Sequence, residues 1–555
     1  MKKTFIFLIV LTNSIISQTN ESSKAKTESF KIGSGFSFSA STEKQSVELN
    51  EIVEDYRQAL KIIQERHFDG KNLNYEKLTR HSITAMLHTL DPHSSFLTAS
   101  EFRQILLEQR SEYYGIGAII ASYTINGITE TYVTSTLPNS PALKAGLMFG
   151  DKIVAVDGEK MRGKPSAYVR DRIRGEKGKI VSLLVERAST GRIERFDIRR
   201  DSVPIPSISD AYVIRPGIGY INLSNGFTYT TKEEFDAAIT ELRRQSITAL
   251  ILDLRDNPGG ILEQAVKVTE KFLPLGSVIV SQRGRYAIDN RTWRSSNGNP
   301  ETMPLVILVN RYSASASEIV AGALQDHDRA LIIGENTFGK GLVQSIFNLP
   351  LGTGLILTTA RYYTPSGRLI QRAYNSENLY DYYLQKTDYK PDPNSAKKTT
   401  TGRTVYNGKG IMPDETVITP SINQKQSSLL DSIFFFVREL VNGRIRELEA
   451  FKWQNLPQFA KRIRKNDLPA DEKLFNAFKS YLENQNPKML KTLEEEKEFA
   501  LLRLRYTIAT ALFGATTAEQ VLIENDPQIE KAILSLPKAD ALAKSAQRKF
   551  LKTQK

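Results

Sequence analysis

The pattern of apolar and polar positions divides the chain into regions of different character. Between Ile52 and Ile63 apolar residues recur at three- and four-residue spacing, which predicts an amphipathic helix, and a second helical pattern runs through His81–Leu90. Residues 103–200 instead carry short β-branched runs separated by Gly and Asn-Gly turns, which predicts a small β-rich domain. From residue 421 to 555 the pattern is helical again and strongly charged.

The middle of the chain, residues 201–420, alternates short apolar runs with helical patterns. Such alternation predicts an α/β layer structure built around a sheet. A polar segment rich in Tyr and Lys interrupts it at 374–408, which predicts a surface insert. The predicted fold class is therefore a multidomain α+β protein, with an N-terminal helical region (46–102), the β-rich domain, an α/β core and a C-terminal helical region (421–555).

The first residues, 1–18, have the plan of a secretory signal peptide. Lys2 and Lys3 precede a short apolar run, and small and polar residues follow. Residues 19–45 are rich in Ser, Thr and Lys and predict a mobile leader. We therefore expect a protein that is secreted across the inner membrane and is periplasmic or extracytoplasmic.

Composition narrows the chemistry that the chain can perform. The 555 residues include no Cys and 5 His, which excludes disulfides, thiolate zinc sites, iron–sulfur clusters and a cysteine nucleophile. A His-Glu-x-x-His motif is also absent from the sequence, so we expect no metal and no other cofactor. The formal net charge of +13 is compatible with an anionic surface or with nucleic acid, and the expected export argues against nucleic acid.

The segment Asn310–Gln344 concentrates residues that can carry chemistry. After an apolar strand pattern at Leu305–Val309, a turn of small residues leads into a helix that begins near Ser315. Backbone N–H groups at a helix N-terminus stabilise negative charge, so a nucleophilic serine there would have oxyanion donors beside it. Ser315 followed by Glu318 also fits a capping box, and this segment alone leaves both interpretations open.

Two residues are candidates for the base that would activate this serine. His327 is the histidine nearest in sequence and lies at the predicted C-terminal end of the helix. Lys340 lies between two glycines in an apolar setting, where burial would lower its pKa and leave it neutral. The stretch Gly334–Lys340 also matches the start of a phosphate-binding loop. However, position 341 is Gly rather than Ser or Thr and a strand pattern follows, so we reject a nucleotide site.

The runs SASASE and GENTFGKGLVQ, with a Gln-Asp pair between them, resemble the C-terminal processing, or tail-specific, proteases of the serine–lysine class. The resemblance extends over residues 48–420. It implies that Ser315 is the nucleophile, that Lys340 is the general base and that Gln344 orients the lysine. It also implies a supporting structural role for Asp326.

Two further stretches resemble parts of the same family. The run ILDLRDNPGG ends in a glycine turn, and the resemblance implies an oxyanion hole formed by Gly259 or Gly260 together with the amide of Ala316. The β-rich domain, residues 103–200, resembles a PDZ domain, which binds an extended C-terminus as an added strand. The residues implied to hold the carboxylate of a substrate tail are Tyr114, Gly115, Ile116 and Gly117.

The resemblance thus implies an exported serine endopeptidase that binds protein C-termini and cleaves through an acyl-enzyme. Protein or peptide substrates are the expected partners. An adaptor or activator and contact with the envelope surface are compatible with the sequence, and the oligomeric state stays open. The alternatives are a hydrolase that uses His327 and a PDZ adaptor on an inactive protease scaffold. The joint presence of Ser315, Lys340 and Gln344 argues against the adaptor. The stretch Leu90–Ser94 is also similar to the family, and we interpret its His93 as a turn or core residue.

Overall fold

The computed structural model describes residues 48–125, 127–374, 382–383, 392–419, 421–453, 457–459 and 461–553. The predicted signal peptide and leader lie outside these residues. The predicted fold class is confirmed: helices stand at both ends of the described chain, with a β-rich domain and an α/β core between them. Within the described residues, no helix combines the length and the apolar character needed to cross a membrane.

The N-terminal region is mainly helical, but one of its segments belongs to the core. Its helices are Leu49–Arg66, Tyr75–His88 and Ala99–Gln109. Between the second and third, the strand Ser95–Leu97 pairs antiparallel with the strand Gly354–Tyr363 of the α/β core. The turn that precedes Ser95 is thereby held against the α/β core.

The β-rich domain is a curved antiparallel sheet with two short helices. Its buried residues, including Val133, Val181, Leu183 and Val185, form a separate hydrophobic core, and in the strand Ile180–Glu186 they alternate with more exposed positions. The main strands are Ala118–Ile125, Ile128–Thr136, Lys152–Val156, Glu159–Lys160, Ile180–Glu186 and Ile193–Arg199. The helices are Pro141–Lys144 and Ser166–Ile173. A separate pair of strands, Glu112–Gly115 and Asp201–Pro204, joins this domain to the core.

The α/β core is built on a six-stranded sheet that is parallel except for its first pair. The central strands are continuous apolar runs, as strands buried on both faces must be. In sheet order the strands are Asp210–Arg215, Ile218–Asn222, Ala249–Asp253, Leu305–Val309, Leu331–Gly334 and Glu415–Thr416. One face packs against the helices Thr231–Arg244, Leu262–Glu270 and Ala316–Asp326.

A second sheet carries residues that later prove important for the site. It contains the strands Val278–Gly284, Arg291–Arg294, Leu342–Asn348 and Gly354–Tyr363, together with the N-terminal strand already described. The register of the pair Leu342–Asn348 and Gly354–Tyr363 shifts between Val343 and Gln344. Such an irregularity re-aims a side chain, and here the side chain is that of Gln344.

The C-terminal helices pack against both other domains. The last helix, Pro527–Thr553, covers the second face of the six-stranded sheet through residues that include Ile529 and Leu536. Phe434 stacks on Tyr123 of the β-rich domain, with ring centroids 3.7 Å apart. The other C-terminal helices are Gln424–Val441, Asp471–Gln485, Leu490–Glu495, Lys497–Phe513 and Ala515–Ile523.

The segment 374–408, predicted as a surface insert, has both exposed and buried described residues. Its short strands Ala396–Lys398 and Thr404–Tyr406 form a hairpin. Tyr382, in contrast, is 4% exposed and packs against Ala314 and Phe338. The insert therefore contributes a residue to the interior beside Ser315.

Candidate active site

Ser315 stands at the tip of a strand-to-helix turn. The strand Leu305–Val309 is fully buried, and the helix Ala316–Asp326 begins directly after the serine. Ser315 has φ 55° and ψ −113°, a conformation that non-glycine residues rarely adopt. The turn is pinned from below because the amide of Ala314 donates to the carbonyl oxygen of Asn257 at 2.9 Å. Ser315 itself is partly exposed, so a substrate can reach it.

The capping box is present, but the carboxylate of Glu318 also accepts hydrogen bonds from residues outside its own helix. Its Oε2 accepts the amide hydrogens of Ser315 and Lys340, each at 2.8 Å, and its Oε1 accepts that of Gly339 at 2.7 Å. The hydroxyl of Thr337 donates to the same Oε1. One fully buried carboxylate thus holds the serine loop and the lysine loop together. Burial raises the pKa of Glu318, and these hydrogen bonds oppose that rise.

Lys340 is partly buried, and its environment favours the neutral amine. Burial lowers the pKa of its ammonium group to about 8, although the negative charges of Asp91 and Glu318 act in the opposite direction. Its Nζ donates to Oε1 of Gln344 at 2.8 Å. A lysine with this pKa is partly deprotonated near neutral pH and can act as a base.

Tyr362 joins the same two loops from the second sheet. Its hydroxyl lies 3.0 Å from the carbonyl oxygen of Ser315 and is also hydrogen-bonded to the carbonyl oxygen of Lys340. Burial raises the pKa of Tyr362 well above its ordinary value, so the hydroxyl stays protonated and remains a donor. Glu318 and Tyr362 therefore bind the serine and lysine backbones, the first through amides and the second through carbonyls.

The glycine turn predicted to supply the oxyanion hole lies against the serine. Gly259 has φ +96°, and a Cβ atom there would lie 2.7 Å from Cβ of Ser315 and 2.9 Å from the amide nitrogen of Ala316. Only glycine permits this approach. The amide of Gly259 donates to Oδ1 of Asn257 at 2.8 Å, while Gly260 pairs with Phe227. The turn and the Ala316 amide are thus neighbours.

The two remaining candidates near the helix lie away from Ser315. His327 follows the eleven-residue helix, about 18 Å along its axis from the serine. Its Nε2 contacts the carbonyl oxygen of Val278 at 2.7 Å. Asp326 pairs with the buried Arg368 at 2.5 Å and accepts the amide hydrogen of Ser366 at 2.9 Å. The structure therefore links the loop of Lys340, and not His327, to the serine loop through Glu318, and it gives Asp326 a structural partner.

The predicted tail-binding loop is a tight backbone turn in the β-rich domain. Gly117 has φ +74°, and a Cβ atom there would lie 2.3 Å from Cβ of Ser140. The side chain of Ile116 is 1% exposed and belongs to the domain core, while its carbonyl oxygen accepts the amide hydrogen of Ala142 at 2.7 Å. Ile116 therefore cannot offer its side chain to a peptide. Tyr114 and Gly115 lie in the strand that pairs with Asp201–Pro204.

Sequence reasoning missed the residues that connect the catalytic loops. The signal for Glu318 was present, since it stands three residues after the serine, but the capping pattern accounted for it. Asn257 lies in the ILDLRDNPGG run and Tyr362 in a strand of the second sheet, and sequence reasoning assigned neither residue a role of its own. Among the described residues, no group of three or more His, Asp or Glu side chains is arranged to hold a metal ion.

Comparison with known proteins shows which protein family the chain resembles. Residues 217–376 match the model of peptidase family S41, and residues 104–186 match the PDZ domain model. The carboxy-terminal-processing protease of Bartonella bacilliformis is 39% identical over 301 residues, which are 53% of this chain and 68% of that protein. The carboxyl-terminal-processing protease of a Picosynechococcus species is 36% identical over 278 residues, which are 50% of this chain and 66% of that protein.

A solved structure of a photosystem II D1 C-terminal processing protease aligns with 66% of this chain and 91% of its own, at 28% identity and a TM-score of 0.35. The two family models and the relatives define a serine-type peptidase that carries a PDZ domain. The chain belongs to peptidase family S41, the carboxy-terminal processing proteases.

Proposed function

We propose that this chain is an exported serine endopeptidase in which Ser315 and Lys340 form the catalytic dyad. The observation that carries the proposal is the shared carboxylate of Glu318, which accepts one amide hydrogen from each of the two residues. The lowered pKa of Lys340 supports the role of base, and the hydrogen bond from its Nζ to Gln344 supports an orienting role for the glutamine.

The proposed reaction passes through an acyl-enzyme. Neutral Lys340 takes the hydroxyl proton of Ser315 as the serine oxygen attacks a peptide carbonyl. The resulting oxyanion is stabilised by the Ala316 amide and by an amide of the Gly259–Gly260 turn. The carbon–nitrogen bond then breaks, and protonated Lys340 gives its proton to the leaving amine. Water, with Lys340 again as base, hydrolyses the serine ester and restores the enzyme.

We further propose that the PDZ domain selects substrates by their C-terminal tails. Backbone N–H groups of the loop at Tyr114–Gly117 would hold the terminal carboxylate, and the tail would add a strand to the domain. Because the side chain of Ile116 is buried, it contributes through its backbone only. The signal-like start of the sequence supports a periplasmic or extracytoplasmic location, which N-terminal sequencing of the exported protein would test.

The decisive experiment is cleavage of an unfolded reporter protein that ends in an apolar tail, followed by mass spectrometry. We expect the wild type and His327→Ala to cleave it and Ser315→Ala and Lys340→Ala to be inactive. Activity of the wild type should rise with pH through about pH 8, the value for Lys340. A histidine base would give a rise near pH 6.5.

The alternatives predict different outcomes of the same experiment. Loss of activity in folded His327→Ala, with activity retained in Lys340→Ala, would overturn the dyad. Binding of the tail by every variant without cleavage by the wild type would favour a PDZ adaptor on an inactive scaffold.

A further inference from the structure

A rigid turn, Asp91–Ser94, lies beside the proposed base. Oδ1 of Asp91 accepts the amide hydrogens of His93 and Ser94, each at 2.8 Å, and its Oδ2 accepts the hydroxyl of Ser94 at 2.6 Å. The oxygen of Ser94 in turn accepts the amide hydrogen of Thr358 at 3.1 Å. Asp91 and Ser94 are both buried. These bonds attach the turn to the second sheet and fix the direction of its carbonyl groups.

The turn determines how Gln344 presents its amide to Lys340. Nε2 of Gln344 donates to the carbonyl oxygen of His93 at 2.5 Å, and Oε1 of Gln344 accepts from Nζ of Lys340 at 2.8 Å. A backbone carbonyl can only accept, so it requires the NH₂ end of the glutamine side chain. The oxygen end is then the one that faces the lysine. Without the carbonyl of His93, either end of the amide could turn toward Lys340.

The ring of His93 is held in turn by Tyr382 of the insert. The Tyr382 hydroxyl lies 2.7 Å from Nε2 of His93 and accepts from Nε2 of Gln371 at 3.2 Å. The Tyr382 hydroxyl can accept from Gln371 and still either donate to or accept from Nε2 of His93, so the contact with the ring is a hydrogen bond in both His93 tautomers. Tyr382 is buried against Ala314 and Phe338, each of which lies within two residues of a proposed catalytic residue.

We propose that His93 and Tyr382 are positioning residues for the base: they fix the Gln344 amide that holds Lys340 in place. This inference rests on the proposed role of Lys340. It assigns a part in the reaction to the Leu90–Ser94 stretch and to the insert. Neither residue needs to touch the substrate, since Tyr382 acts on the ring of His93 and His93 acts on Gln344 through its backbone carbonyl.

The charges around this series determine the sign of the expected pH effect. Lys340 faces the carboxylates of Asp91 and Glu318, which favour its charged form, while burial favours its neutral form and dominates. Burial lowers the pKa of His93 well below its ordinary value, and the positive charges of Lys340 and Arg372 lower it further. His93 is therefore neutral when the base is active. If the series loosens and water enters, the pKa of Lys340 returns toward its ordinary value.

The test is Tyr382→Phe in the full-length protein, which removes one hydroxyl and keeps the ring. We expect kcat to fall by about tenfold with KM little changed, and the acid limb of the pH–rate profile to move to higher pH. Tyr374→Phe is the matched control, since its ring contacts Tyr382 rather than His93, and it should behave as wild type. A purely structural role would lower the folded fraction without moving the limb.

A second pair of variants tests the histidine. His93→Gln can still accept from the Tyr382 hydroxyl and should keep the wild-type pH limb, whereas His93→Leu should shift it as Tyr382→Phe does. In a Ser315→Ala background, NMR titration of the Lys340 amine reads the same pKa without turnover. An unchanged Lys340 pKa in Ser315→Ala/Tyr382→Phe would overturn the positioning role.

These outcomes separate the inference from the function on which it rests. If Lys340→Ala cleaves the reporter as well as wild type, the proposed dyad fails whatever the Tyr382 variant does. If Lys340→Ala is inactive while Tyr382→Phe keeps the wild-type kcat and pH limb, the dyad stands and the positioning role is wrong.

Discussion

The proposed catalytic centre and the proposed tail-binding loop both bring backbone segments very close together, but by different means. At the proposed catalytic centre the serine and lysine loops meet on a charged side chain, the buried carboxylate of Glu318. In the tail-binding loop the approach depends on missing side chains, because Gly117 lies against Ser140 and Gly115 against the ring of Tyr113.

This difference teaches what each site tolerates. A site organised by one carboxylate should fail when a single oxygen is replaced at constant size. A site that depends on the close approach of two backbone segments should tolerate changes in charge. It should fail when a methyl group is added at the point of approach. Substrates with and without a C-terminal tail distinguish the two sites. A catalytic defect should slow cleavage of both substrates, whereas a tail-binding defect should slow cleavage of the tailed substrate only.

The largest effect is expected from Glu318→Gln. The substitution keeps the shape of the side chain but replaces one carboxylate oxygen by an NH₂ group. In the wild type both oxygens accept backbone N–H groups, so in the variant buried N–H donors lose their acceptor. We expect activity on both substrates to fall by at least about a hundredfold and the free energy of unfolding to fall by about 2–4 kcal/mol. Kinetics and urea unfolding measure the two effects.

The matched control for this change is Glu335→Gln, in the neighbouring loop. Glu335 pairs with Arg311 near the surface at 3.0 Å, so its replacement should cost less than about 1 kcal/mol and leave activity intact. Wild-type kinetics in Glu318→Gln would show that the shared carboxylate does not organise the site.

Gly259→Ala tests whether the proposed catalytic centre also depends on a close approach between backbone segments. The added methyl group would lie 2.7 Å from Cβ of Ser315, at a φ of +96° that alanine rarely adopts. We expect kcat to fall about a hundredfold on both substrates, because the turn must move away from the serine. Gly276→Ala is the control: its φ is +82° but nothing lies within 4 Å, so it carries the backbone strain without the collision. Equal activity of the two variants would contradict the close approach.

Lys340→Met separates activity from stability. Burial lowers the pKa of Lys340 from 10.5 to about 8, so below pH 8 the folded protein bears the cost of a buried charge. The unfolded chain binds more protons between about pH 8 and pH 10.5, so the stability of the wild type rises with pH through that window.

We therefore expect inactive Lys340→Met to be more stable than wild type by about 1–3 kcal/mol at pH 7. This advantage should shrink as the pH rises from 8 toward 10.5. Urea unfolding of both proteins at several pH values measures it, and a destabilised Lys340→Met at pH 7 would show that the ammonium group is well compensated in the folded state.

The sequence identified the groups of the site that lie within one continuous segment. Ser315, Lys340 and Gln344 stand in a run with a recognisable order, and the glycine turn before Ile261 carries its own pattern. The sequence marked Glu318 as a helix-capping residue, because it stands three residues after Ser315, and gave no sign of its other bonds. The bonds to Gly339 and Lys340 come from a loop whose path the sequence does not specify.

The parts that escaped prediction arise from contacts between distant segments. Nothing local indicates that Tyr362, Tyr382 and His93 converge on the surroundings of the proposed base, since their separation in sequence exceeds any helix or strand period. The same holds for the helix Pro527–Thr553. Its apolar pattern predicts a helix, and the continuous apolar strands predict that both faces of the sheet are covered. Only the fold shows that this helix covers the second face of the six-stranded sheet.

The smallest and most selective effect is expected from Gly117→Ala. The methyl group would lie 2.3 Å from Cβ of Ser140, which forces the tail-binding loop to shift, while the catalytic loops lie in another domain. We expect KM for the tailed substrate to rise about tenfold and kcat on a tail-free peptide to stay as in wild type. Gly158→Ala, at φ +83° with nothing within 4 Å, controls for backbone strain in the same domain. Equal loss on both substrates would mean that the loop acts on catalysis as well, and the contrast between the two sites would then be wrong.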